Sequence, residues 1–163
     1  MMAARRFKVG KDFEIDMKIK PTNRSGILVA VDGPEFLSLC MVDGSIKFST
    51  NNGGGPFTAV FKPDGFELTN GKWHDVRAVK SGPKVSLTIN EIKGQSVVGA
   101  SHLYAADTNS PLFIGGHPEA DELQFKIDTE QNYAGCMKDI VINGKPFLEP
   151  EKLFGEISPC SSK

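Results

Sequence analysis

Hydrophobic and polar residues alternate with a period of two through much of this chain. Phe13, Ile15, Met17 and Ile19 interleave with Glu14, Asp16, Lys18 and Lys20, the pattern of a strand with one face in a core and the other in water. Val85, Leu87 and Ile89 alternate with Ser86, Thr88 and Asn90 in the same way. Residues 27–31 form a continuous apolar run, too short for a helix and β-branched enough to predict a buried strand.

Turn chemistry falls between these runs at short intervals. Asp43-Gly44 separates residues 36–42 from residues 45–49 and signals a hairpin, because a type I′ turn needs positive φ at both central positions. Asp32-Gly33, Asn70-Gly71, Ser81-Gly82-Pro83 and Asn143-Gly144 punctuate the rest. No segment carries a helical stripe, and residues 151–154 have room for one turn at most. Many short strands with glycine-rich connections predict an all-β fold, a two-sheet antiparallel β-sandwich. The chain shows no repeat and no low-complexity tract, so a single domain is expected.

Composition narrows the partners more than the fold. At 163 residues, with 39% hydrophobic and 24% charged, the chain is an ordinary globular domain with enough apolar surface for a real core. A net charge of -1 supplies no electrostatic drive toward nucleic acid or an anionic membrane. No apolar stretch reaches the roughly 20 residues of a membrane helix. The start, from Met1 to Phe7, is basic without the apolar centre of a signal peptide. Two readings follow: a cytosolic protein, or a piece of a larger secreted chain.

The three cysteines favour the secreted reading. Cys136 opens an apolar strand and Cys160 lies near the C-terminal end, where a bridge would tie the tail to the body and contribute about 3 kcal/mol in the chain-entropy picture. Cys40, inside the apolar run 36–42, reads as a buried thiol outside that bridge. An odd cysteine counts against the pairing, and three reduced cysteines in a cytosolic protein is the competing view.

Ordered motifs then add a family likeness. The strand 13–20 is followed by Gly26-Ile-Leu-Val-Ala-Val31, by Phe36-Leu-Ser-Leu, by Val42-Asp-Gly-Ser-Ile-Lys-Phe48 and by Asn70-Gly-Lys-Trp-His-Asp-Val76. Leu112-Phe-Ile-Gly-Gly116, Tyr133-Ala-Gly-Cys136 and a closing Cys160 complete the series. In order and spacing the chain resembles a laminin G-like domain over residues 7–160, with 1–6 expected as linker residues and 161–163 as a tail. The run Ala106-Asp-Thr-Asn-Ser-Pro111 is most similar to domains at the C-terminal end of laminin α chains. The resemblance implies a jelly-roll-like sandwich, a secreted module of extracellular matrix and basement membrane, and a role in adhesion.

It also implies a Ca2+ site at a loop rim, where hard oxygens from separate loops meet. Carried over by motif, the two carboxylates fall on Asp107 and on Glu35, where the family usually has Asp; carbonyls come from near Asn52 and Ala105. Asp32, in the same loop as Glu35, is a possible substitute. The competing reading is two solvated acids with no ion. A second implication is a polyanion-binding face, for which Arg77, Lys80 and Lys84 about the Ser81-Gly82-Pro83 turn are the candidates. Arg77 and Lys80 are an odd number of residues apart and point to opposite faces of a strand, and acids are interspersed, so solvated surface cations compete with this reading.

Little points to catalysis. His74, His102 and His117 show no metal-ligand spacing and no nucleophile elbow, so no enzyme is expected. Trp73 reads as an anchor of the sandwich core. Gly53-Gly-Gly55 lacks the Lys-Ser/Thr of a phosphate loop. Asn23-Arg24-Ser25 is an N-glycosylation sequon in a turn. The expectation is a non-enzymatic adhesion module that contacts cell-surface receptors such as dystroglycan or integrins, heparan sulfate weakly, and neighbouring G-like domains. Two alternatives stand beside it: a sandwich holding a small apolar ligand or a carbohydrate, as in steroid-binding globulins and lectins, and a structural spacer.

Overall fold

The alternating runs become strands that pair into two antiparallel sheets. A computed structural model describes residues 2–117, 129, 131–147 and 152–153. In chain order the strands are β1 (Met2–Arg6), β2 (Asp12–Pro21), β3 (Gly26–Val31), β4 (Phe36–Val42), β5 (Ser45–Asn51), β6 (Pro56–Phe61), β7 (His74–Ser81), β8 (Lys84–Ile89), β9 (Ile92–Val98), β10 (Pro111–Ile114), β11 (Gly135–Ile142), β12 (Lys145–Pro146) and β13 (Lys152–Leu153). One sheet runs β13-β1-β10-β3-β4-β5-β6 and the other β12-β11-β2-β7-β8-β9.

The core lies between them. Phe13, Ile15, Met17 and Ile19 of β2 and Val76 and Ala78 of β7 face Leu37, Leu39 and Met41 of β4 and Ile46 and Phe48 of β5 in one buried cluster. Phe13, Met17, Met41, Phe48 and Phe61 thus fill the space between the sheets together. The unbroken apolar run of β3 has a separate cause. Leu28, Val29 and Val31 enter the core, while Ile27 and Ala30 join Phe36 and Cys40 in a second buried cluster on the opposite face of the same sheet. Cys40 is a buried thiol, as the sequence implied.

The β4–β5 hairpin turns through Asp43 (φ 47°) and Gly44 (φ 88°), and β11–β12 through Asn143 (φ 50°) and Gly144 (φ 79°). Two left-handed residues in succession match the twist of the flanking strands. Asn90 (φ 50°) and Glu91 (φ 65°) make the same turn between β8 and β9 without a glycine. Asn90 manages it by accepting the Asp75 N–H on Oδ1 at 2.8 Å.

Three sequence expectations change here. Residues 2–6 are not a linker: β1 sits between β10 and β13, with Ala3 opposite Phe113. Lys152 and Leu153, where the sequence left room for one helical turn at most, extend the first sheet by pairing with Ala3 and Met2. Trp73 is not a core anchor. It lies half-buried on the outer side of the second sheet, with Lys138 Nζ 4.3 Å and Lys20 Nζ 5.0 Å from its ring centroid. In β7 the inward positions are His74, Val76, Ala78 and Lys80, so Trp73, one residue ahead of His74, falls on the outward parity.

Candidate functional site

Five connections gather at one end of the sandwich: β1–β2, β3–β4, β5–β6, β7–β8 and β9–β10. They lie outside the ladders of the two sheets and are joined by side-chain hydrogen bonds and a few backbone bonds, such as Gly82 N–H to the Lys11 carbonyl at 2.9 Å. Glu35, the last residue before β4, accepts the Asp107 N–H on Oε1 at 3.1 Å. The two acids that the resemblance singled out are therefore neighbours in space, although 72 residues separate them in the chain. Gly53 lies against the same carboxylate, with its missing Cβ position 3.7 Å from Glu35 Cδ and Oε1. Asn51 Oδ1 accepts the amides of Gly53 at 2.8 Å and Gly55 at 3.2 Å, which shapes the glycine-rich loop beside it.

Asn52 turns its side chain inward. Only 5% exposed, it donates from Nδ2 to the carbonyls of Gly82 at 3.2 Å and Leu103 at 3.1 Å. Its Oδ1 is a buried side-chain oxygen without a hydrogen-bond partner. Ala105 is an exposed loop residue between Tyr104 and Ala106. The donors at this end are carboxylates, an amide oxygen and loop carbonyls, which in kind suit a hard cation such as Ca2+. Among the described residues there is no group of three or more His, Cys, Asp and Glu arranged to hold a metal. An ion here would rest on Glu35 and Asp107 with carbonyl support.

The basic candidates do not form a patch. Lys80 is 1% exposed. Its ammonium donates to the carbonyls of Gly10, Lys11 and Tyr104 at 2.9 Å each and Gly82 at 3.0 Å. A buried cation must be satisfied by hydrogen bonds or be neutralised, and four carbonyls surround this one. Burial still pulls Lys80 down from the usual 10.5 to about 8, with Asp12 opposing. The sequence missed this role: the odd spacing put Arg77 and Lys80 on opposite faces without saying which faces inward, and nothing local says that carbonyls from other loops wait there. Arg77 faces outward and is held by Asp16 at 2.9 and 2.8 Å and Glu14 at 3.2 Å, with Asp16 the main cause of its raised proton affinity. Lys84 is exposed. Of the three residues proposed for polyanions, one is buried and one is clamped by two acids.

The histidines sit apart. His74 is buried between Asn70 and Asn90, at 2.9 Å from each. His117 lies edge-on to Phe113 with centroids 4.4 Å apart, and His102 is exposed. Asn23 is exposed in the β2–β3 turn. Cys136 opens β11 opposite Lys20, and its carbonyl accepts the Tyr133 hydroxyl at 2.6 Å. Cys160 lies outside the described residues.

A family model for the Laminin G domain matches residues 19–145. The chain belongs to the laminin G domain family. Laminin subunit alpha-1 of Mus musculus is 32% identical over 139 residues, covering 82% of this chain and 4% of that protein. Usherin of Homo sapiens is 34% identical over 139 residues, again 82% of this chain and 3% of that protein. The chain thus spans only a few per cent of these relatives' length. Among solved structures, the mouse laminin alpha1 chain, domains LG4-5, superposes with a TM-score of 0.78 at 26% identity, covering 96% of this chain and 44% of that one. The two-sheet laminin G sandwich expected from the motifs is the fold this chain adopts.

Proposed function

We propose that this laminin G domain is a non-enzymatic adhesion module of the extracellular matrix, and that it contacts acidic glycans of cell-surface receptors at the loop rim of Glu35, residues 51–55 and Asp107, with a calcium ion assisting. The observation that carries the reading is the Asp107-to-Glu35 hydrogen bond, which brings two loop acids from distant segments together. Acids at the end of a sandwich carry no packing duty and are available for binding. A bound cation would invert the local charge and make the same rim attractive to an acidic sugar. Dystroglycan glycans fit this chemistry directly. Integrins remain a partner class drawn from the resemblance. Relatives named as laminin alpha subunits and usherin support a secreted, matrix location. The same setting suits a glycan on Asn23.

Calorimetric titration with calcium, followed by glycan binding with and without the ion, tests the reading. Asp107→Ala is expected to abolish calcium-dependent binding and leave the fold intact, because an exposed loop carboxylate buries little. Glu35→Asp is expected to hold or raise calcium affinity, since the shorter acid is the family's usual ligand. Binding unchanged in both variants would remove the rim from consideration.

A further inference from the structure

The segment that carries Asp107 has no regular strand between β9 and β10 apart from one isolated bridge, yet Leu103, Tyr104, Ala106, Asp107 and Thr108 are all pinned. The Leu103 carbonyl accepts from Asn52 Nδ2 at 3.1 Å, and the Tyr104 carbonyl from Lys80 Nζ at 2.9 Å. Ala106 exchanges two backbone bonds with Gly10 at 3.1 Å each, and the Asp107 amide goes to Glu35. Thr108 Oγ1 accepts the Val9 amide at 2.9 Å and donates to the Phe7 carbonyl at 2.7 Å. Connecting two strands requires none of this. A buried ammonium is costly unless it is hydrogen-bonded, so Lys80 and its carbonyl partners hold one another in place.

The pinned backbone presents one large side chain to solvent. Tyr104 is 55% exposed, while the residues on which its segment is anchored, Asn52 and Lys80, are buried. Tyr104 Cδ1 lies 3.8 Å, and Lys11 Cε 4.0 Å, from the point where a Cβ on Gly82 would stand. An aromatic ring and a lysine stem therefore flank one glycine, on the same loop cluster as Glu35 and Asp107. A rigid backbone supporting an amphipathic ring is how binding surfaces present tyrosine, because the ring offers contact area with few torsions to freeze.

We propose that Tyr104 is a ligand-contact residue of the rim, stacking on a sugar ring of an acidic glycan, and that Lys80 is the positioning residue that holds it there. Lys11 supplies a cation beside the ring for the sugar's acidic group. Lys80 acts through the loop alone, since its own ammonium is enclosed by carbonyls. The inference rests on the glycan-binding rim proposed above and names a residue which that reading does not require.

The test is calorimetric titration of the full chain with a heparin-derived hexasaccharide at fixed calcium. Tyr104→Ala is expected to weaken binding about tenfold, the scale of a lost aromatic hot spot, and Tyr104→Phe to stay within about twofold because the ring makes the contact. Lys80→Met is expected to weaken binding about tenfold in the wild-type background and not at all further in the Tyr104→Ala background, since residues acting through one another are non-additive. Where Lys80→Met fails to fold, Asn52→Ala, which unpins Leu103, takes its place with the same expectation. Additive losses in the double variant would reduce Lys80 to a structural role and overturn that half. Binding lost in Asp107→Ala but retained in Tyr104→Ala overturns the inference and leaves the rim standing. The reverse pattern keeps Tyr104 and removes the carboxylates, and a hexasaccharide that does not bind overturns both.

Discussion

His74 occupies the first inward position of β7 with its tautomer fixed by two asparagines. Asn70 Oδ1 accepts the Lys72 amide as well as facing Nε2, so Nε2 carries the proton. Asn90 uses Oδ1 for the Asp75 amide, which leaves its Nδ2 to donate to Nδ1. A stacked Phe66 ring, its centroid 5.9 Å away, completes a site built for the neutral imidazole. Burial holds His74 below the usual 6.5; the Leu68 carbonyl and Asp75 oppose this, and Lys72 adds to it. The unfolded chain therefore takes up the proton first, and stability fully present above the unfolded value of 6.5 is lost as pH falls through the depressed folded value. Urea denaturation should show a midpoint that drops on acidification below that range. Substituting His74→Gln should flatten the drop, and an unchanged slope in that variant would assign it to other groups.

At the level of elements, close backbone approach decides where glycine is needed. Gly26 opens β3, and a Cβ there would stand 2.7 Å from Tyr133 Cα and 3.2 Å from the Asn132 carbonyl. The contact is between two backbones: the Ile27 amide donates to the Gln131 carbonyl at 2.9 Å, and Ile27 and Asn132 form a parallel bridge. Neither side can yield by rotating a side chain. Gly26→Ala is expected to destabilise the fold by about 1–3 kcal/mol, the usual cost of overpacking, read as a lower denaturation midpoint. Phe48, fully buried in β5, is the contrasting case: Phe48→Ala should cost about 3–5 kcal/mol through the cavity it leaves. A loss under about 1 kcal/mol would mean that the sheets close over the gap.

Across the whole molecule, the two sheets enclose the core, and side-chain bonds together with a few backbone bonds outside the ladders join the loops at one end. A bridge between Cys136 and Cys160 is the remaining tie we propose, fastening the C-terminal segment to β11. Mass spectrometry of the non-reduced, alkylated protein should label Cys40 alone, and only after unfolding, because Cys40 is buried in the second apolar cluster. Reduction is expected to lower stability by about 2–4 kcal/mol. Cys40 found in the bridge would overturn the pairing.

Period-two alternation and Asp-Gly or Asn-Gly turns are local signals, so β2, β3, β7, β8 and the β4–β5 hairpin are legible in the chain itself. The order of the motifs carries the family and points to Glu35 and Asp107. The sequence alone does not tell an inward lysine from a solvated one. Lys80 has ordinary neighbours in the chain, and its four carbonyl partners come from three separate connections that meet only when the sandwich closes. Trp73 misleads for a related reason: hydrophobicity argues for the core, while the phase of β7, set by His74, Val76 and Ala78, puts it outside with Lys20 and Lys138. Met2–Arg6 lacks a recognisable pattern because pairing with β10 and β13, rather than alternation, makes it a strand. Strand identity is written in nearest neighbours, whereas the ties between the rim's separate loops, such as Lys80 to Tyr104, Asn52 to Leu103 and Asp107 to Glu35, join residues 24, 51 and 72 positions apart, which only the packed structure brings together.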